Sequence, residues 1–179
     1  LFDDKLNFWN PFIDTVYTFY PDFTLRPNFL FKQGEFRLPK TYIDNPIKQL
    51  HKYFMINQIF ESKKYLMIQY LFYKEKNGLV IIDKNLQNTF LSYWSSDDTG
   101  CIWNDLDAGL KFFPKTFIAD HGREYLIDLI DPYKLKACVS GVNFKKSEPK
   151  YPEKKKKLEK LANSLKETDN PVLVLVNLK

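Results

Sequence analysis

Between residues 54 and 94, short apolar bursts alternate with polar breaks: FMINQIF, YLMIQYLFY, LVII and TFLSYW, divided by ESKK, KEKNG and DKNLQN. Bursts of this length, rich in Ile, Val, Phe and Tyr, suit strands, because branched and aromatic side chains pack well on a pleated surface. The pattern predicts strands over 54–60, 65–73, 79–82 and 89–94. Asn77-Gly78 predicts a hairpin turn, since both central residues of a type I′ turn need φ > 0. A second turn is predicted at Asp83-Lys84-Asn85.

Upstream, residues 11–38 read as two or three strands, one opening at 14–17 and one over 25–31. Pro21-Asp22 and Gln33-Gly34 supply turns or a bulge. Pro27 has no backbone donor, which suits an edge or entry position. Residues 39–53 read as a loop with a short helix, capped by Asp44 or Asn45 with Pro46 in the first helical place. Downstream, 95–114 is a long polar loop. Strands follow at 116–119 and 124–130, joined by His121-Gly122. Asp131-Pro132 opens a short helix to about Cys138, and 141–152 reads as a linker. Over 153–168, Leu158, Leu161, Ala162 and Leu165 recur at helical spacing, which predicts an amphipathic helix packed on a core. PVLVLVNL, residues 171–178, closes the chain as a strand, buried on at least one face and completing a sheet begun earlier.

Together these elements predict an all-β fold of four-stranded antiparallel sheets with one or two peripheral helices, in a single domain over 1–179. Four strands in about 40 residues make a unit the size of one β-propeller blade. A blade cannot stand alone, so a repeat architecture and a binding role are implied. At about 40 to 50 residues per blade, 179 residues supply three to four blades.

Composition changes the picture in three places. No run approaches the roughly 20 apolar residues of a membrane helix, so no membrane-spanning segment is predicted. The net charge is +5, and much of it sits in KKSEPKYPEKKKKLEK, residues 145–160. Such a cluster attracts nucleic acid or anionic lipid. It contains no arginine, however, so nucleic acid is not an expected partner and the plain reading is a solvated helix start and linker. Cys101 and Cys138 have no partners at metal-ligand spacing; a disulfide and two unpaired thiols both fit. Leu1 begins inside strand-like sequence, as expected of a piece of a longer chain.

The densest polar cluster is Asp97, Asp98, Asn104, Asp105 and Asp107, flanked by Tyr93, Trp94 and Trp103. Aromatic rings beside carboxylates and amides suit sugar or peptide binding: rings supply flat apolar area and polar groups fix orientation. Trp94, Asp97, Asp98, Trp103, Asn104, Asp105 and Asp107 are therefore the candidate ligand-binding residues. Three other readings compete. The oxygens could hold Ca²⁺, but counting from Asp105 puts Leu110 and Thr116 where an EF-hand needs Gly and Glu. Paired carboxylates could cleave a glycosidic bond, but that chemistry needs groups on opposite sides of the bond. Asn and Asp could simply close their own turns while Trp packs in the core. His51 and His121 stand apart, and no serine has a nucleophile-elbow context. No catalytic residue, metal or cofactor is called for.

PFIDTVYTF with LRPNFLFKQGEFRLP, FESKKYLMIQY with LVIIDK, GCIWNDLDAGLKFFP, and LANSLKETDNPVLVLVNLK are similar to the C-terminal half of six-bladed, NHL-like β-propeller proteins of Bacteroides-type bacteria. The resemblance covers almost the whole chain in order. It implies an exported or lipid-anchored protein at an extracytoplasmic, periplasmic or cell-surface location, with a signal not present in this chain. It implies a closed ring of about twice this length, reached through an N-terminal half, through association of two copies, or left open as a partial ring. It brings no catalytic residues. The function expected is a non-catalytic binding or scaffolding propeller of the cell envelope, with a glycan, peptide or protein ligand. The alternative is a propeller hydrolase or lyase acting on glycans or peptides.

Overall fold

A computed structural model describes residues 5–10, 12–32, 34–39, 52–72, 76–93 and 101–178, with backbone alone at 76, 77 and 93. Among the described residues the fold is mostly β, in three antiparallel sheets. The chain divides into two compact units, Leu1–Gly100 and Cys101–Lys179.

The first unit holds two sheets. β1 (Leu6–Phe8), β2 (Thr15–Phe19) and β3 (Leu25–Leu30) form one, in that order. β1 was not legible in the sequence: its three residues are too few to show a period. Pro27 lies on edge strand β3, where the register slips by one residue opposite Val16 and Tyr17, a position that does not require its missing donor. The β2–β3 connection turns at Phe23 with φ 62°. Asp22 secures it by accepting from the Thr24 N–H at 3.0 Å and the Thr24 hydroxyl at 2.6 Å.

β4 (Phe54–Glu61), β5 (Tyr65–Phe72), β6 (Lys76–Asp83) and β7 (Thr89–Tyr93) form the four-stranded meander that the apolar bursts predict. β5 is interior, and Leu66 to Tyr70 are all buried, which explains its nearly unbroken apolar run. The β4–β5 and β6–β7 turns each have a named fastening. Ser62 Oγ accepts from the Tyr65 N–H at 2.8 Å, and Asp83 Oδ1 accepts from the Asn85 and Leu86 N–H groups at 2.9 and 3.0 Å. Asn77-Gly78 is not a turn, contrary to the sequence reading. Both residues belong to β6, opposite Leu71 and Tyr70.

Ile56, Leu66 and Ile68 form the core between these two sheets, joined by Trp9, Phe29, Phe54 and Val80. A polar chain accompanies it. Thr18 donates to Asn7 at 2.7 Å, Asn7 donates to Glu61 at 2.9 Å, and Lys84 pairs with Glu61 at 3.1 Å. The helix read near Asp44, Asn45 and Pro46 falls outside the described residues.

The second unit holds a sheet ordered β10-β9-β8, from β8 (Thr116–Asp120), β9 (Arg123–Ile130) and β10 (Val172–Leu178). His121 and Gly122 connect β8 to β9 with φ of 46° and 76°. Positive φ at both positions is the signature of the type I′ hairpin. Between β9 and its neighbour β10 the chain makes three helices: α1 (Pro132–Ser140), α2 (Val142–Lys146) and α3 (Pro152–Ser164). Pro132 and Pro152 both open their helices, where a missing N–H costs nothing.

Three expectations are corrected here. Among the described residues two sheets have three strands rather than four. The supposed linker 141–152 contains α2. The helix read over 153–168 ends at Ser164, with Leu165 extended. Leu135, Val139, Phe144 and Ala162 form the helical core, with Leu158, Leu165, Ile130 and Val172 against it. Leu161 belongs to the predicted stripe but is 40% exposed, because the contact line runs through 158, 162 and 165. Lys136 closes the far end of α3, donating to the Leu165 carbonyl at 2.8 Å.

Candidate functional site

The segment from Cys101 to Pro114 has little regular structure, yet it is fastened throughout. Ile102 and Phe112 exchange backbone hydrogen bonds of 2.8 and 2.9 Å. The Asp105 and Leu106 carbonyls accept from the Lys150 and Tyr151 N–H groups at 2.8 and 2.9 Å, tying the loop to the start of α3. Phe113 donates its N–H to Asp128, a buried carboxylate on β9, at 3.2 Å.

Within the loop two candidate residues bond to each other. Asn104 Nδ2 donates to Asp107 Oδ1 at 2.7 Å, and that oxygen also accepts from the Gly109 N–H at 2.9 Å. Asn104 Oδ1 accepts from Leu106 N–H at 3.2 Å. These are the bonds that Asn and Asp make to close turns, so Asp107 and most of Asn104 have a structural task. They let Ala108 hold φ of 62°.

Trp103 and Asp105 stand differently. Trp103 is 73% exposed, and Lys111 Nζ lies 4.0 Å from the centroid of its ring. The Asp105 carboxylate is exposed and makes no hydrogen bond or ion pair among the described residues. Trp103, Asn104 and Asp105 line one side of an open groove of about 660 Å³; Cys138, Val142 and Pro149 line the other. Val142 is 64% exposed, so the groove offers apolar surface on both walls.

Of the candidate residues, the structure thus brings Trp103, Asn104 and Asp105 to one groove and gives Asp107 to the loop's own support. Trp94, Asp97 and Asp98 lie outside the described residues. Among the described residues no three His, Cys, Asp or Glu side chains stand close enough to hold a metal ion. No helix of the described residues is long and apolar enough to cross a membrane.

Sequence reasoning missed Lys111, Cys138 and Val142. Lys111 meets Trp103 only because the Ile102–Phe112 bridge folds the loop back. Val142 belongs to a helix too short to leave a period. Cys138 is a free, half-buried thiol. Burial first, and then the Asp107 charge, push it above its ordinary value, so it stays protonated at neutral pH.

No curated protein matches the chain, and no solved structure matches it. The sequence does match, over residues 1–177, the family described as Domain of unknown function (DUF4934), and the chain belongs to that family.

Proposed function

We propose that the protein is a non-catalytic binding or scaffolding module of the bacterial cell envelope, built as part of a β-propeller, and that the Trp103 groove receives a glycan or peptide. The observation that carries this reading is an exposed indole at the rim of a groove. A solvated tryptophan forgoes its burial, on the order of 2 kcal/mol, and flat apolar area of this kind stacks on a sugar ring or a peptide side chain. Asp105 stands beside it with its oxygens open to orient a hydroxyl or amide.

The propeller reading draws support from the sheets. All three are antiparallel, follow one another in sequence, and the central one is a complete four-stranded meander. Two of them also present large apolar side chains that are exposed among the described residues. In the first unit these are Leu6, Phe8, Phe19 and Leu25; in the second they are Ile118, Leu129, Leu173 and Leu175. Surfaces of this kind are what a blade offers its neighbours in a ring, whether those come from a longer chain or a second copy. The envelope location rests on the resemblance of the sequence to exported propellers.

The test is isothermal titration calorimetry of the full chain against panels of oligosaccharides and short peptides. A saturable ligand that Trp103→Ala abolishes, with the thermal midpoint unchanged, is the expected result. A ligand that binds Trp103→Ala undiminished puts the site elsewhere.

A further inference from the structure

The excess charge of the chain is confined to one place. Residues 145–160 hold eight lysines and three glutamates, while the whole chain has 27 basic and 22 acidic residues. The rest is therefore balanced, 19 against 19, and the entire +5 belongs to α2, α3 and the segment joining them.

Three of those lysines have internal work. Lys155 turns inward, donating to the Ser147 carbonyl at 2.7 Å and lying over the Phe144 ring. Lys150 and Lys154 flank the Tyr151 ring at 5.7 and 4.7 Å. Lys145, Lys146, Lys156, Lys157 and Lys160 make no side-chain hydrogen bond or ion pair among the described residues. Lys145 and Lys156 line a second concavity, of about 680 Å³, with Glu148 and Glu159 also facing it. This concavity and the Trp103 groove share one wall: Phe144, Ser147, Glu148 and Pro149 border both.

We propose that the ligand of the Trp103 groove is an acidic oligosaccharide. One sugar ring stacks on Trp103 beside Lys111, and the chain crosses the 147–149 ridge so that its carboxylate or sulfate groups meet Lys145 and Lys156. This inference rests on the binding role proposed for the groove and adds the chemical class of its ligand. Exposed ammonium groups act as hydrated point charges, so they suit a flexible anionic chain better than a planar, bidentate partner. Glu148 and Glu159 face the same concavity and Asp105 lines the groove, so Lys145 and Lys156 act as separate point contacts rather than as a net positive field, which keeps the preference modest and sensitive to salt. Nucleic acid fits less well: no arginine lies in the cluster, and one exposed indole is a poor platform for successive bases.

The experiment titrates the full chain with an oligogalacturonate, a sulfated galactan oligosaccharide and an uncharged galactan oligosaccharide, at low and high salt. A polyglutamate peptide and a single-stranded oligonucleotide serve as polyanion controls. At low salt, the acidic sugars should bind roughly tenfold tighter than the neutral one, the ratio a pair of exposed ion contacts can supply. High salt should erase the difference. The carboxylate and sulfate arms show which acid group is preferred. Lys145→Ala with Lys156→Ala should abolish the preference and leave neutral-sugar affinity unchanged, whereas Trp103→Ala should weaken all three sugars. Equal affinity for charged and neutral sugars overturns the acidic ligand but not the groove. No binding of any sugar or peptide by folded protein overturns both. Equal affinity for the polyanion controls, unaffected by Trp103→Ala, makes the lysines an unspecific surface and also overturns the inference.

Discussion

Asn104 and Asp107 are bonded side chain to side chain at 2.7 Å, and the turn between them depends on that bond. It divides the polar cluster into residues that hold the loop and residues that the loop displays. Asn104→Ala and Asp107→Ala are each expected to lower stability by about 1–2 kcal/mol, because backbone N–H groups lose their acceptors. Trp103→Ala, at an exposed site, should stay within about 0.5 kcal/mol of the parent. Chemical denaturation of the three variants checks this. A large loss in Trp103→Ala alone would reverse the assignment.

Gly78 makes a second, independent test. A Cβ at this strand position would meet the Tyr70 hydroxyl oxygen at 2.6 Å and also crowd the Ser92 carbonyl. Gly78→Ala must displace a buried ring or separate β6 from β7, at a cost of about 1–3 kcal/mol. The double variant Gly78→Ala, Tyr70→Leu should recover part of the loss. Equal stability of Gly78→Ala and the parent would show that the glycine has no packing role.

The apolar sheet faces predict association. Leu173 lies opposite Leu129 in register, each more than half exposed, with Leu175 beside them. Patches of this kind drive contact with other surfaces. The chain should self-associate as its concentration rises, as light scattering would show. Leu173→Lys with Leu175→Lys should suppress association and leave the far-ultraviolet circular dichroism unchanged. A parent that stays monomeric at every concentration would rule this out.

Cys138 reports on the groove. With its thiol held above the ordinary value of 9.0 by burial and the Asp107 charge, it is neutral at pH 8 and should react slowly with iodoacetamide. The rate should rise only as the pH climbs beyond that value. Since Cys138 lines the groove, a bound ligand should slow alkylation further. Mass spectrometry of the labelled peptide measures both effects. Fast labelling at pH 8 would contradict the buried geometry.

Strands were legible where one burst of apolar residues sufficed, as in β4, β5, β9 and β10. They were misread where a distant residue decided the outcome. His121-Gly122 and Asn77-Gly78 send similar local signals, yet only the first is a turn. At Gly78 the small residue answers to Tyr70 across the sheet, and no local pattern can register a neighbour supplied by another strand. The site was half legible for the same reason. Trp103 and Asp105 announced themselves as aromatic and acid in a polar loop, but the opposite wall, Cys138 and Val142, comes from a helical segment whose proximity depends on tertiary packing.

In the second unit, the residues that set the sheet are separate from those that cover it. Ile130 and Val172 are direct partners across β9 and β10, although residues 131–171 stand between them. The strands meet as closely as those of a hairpin, so the sheet does not need that particular intervening sequence to set its register. It needs only some cover for its buried side. That stretch carries the lysine cluster of residues 145–160 and, in Cys138, Val142 and Pro149, one wall of the groove. Another stretch of similar apolar inner surface in its place would remake the groove wall while leaving every pairing of β9 with β10 as it is.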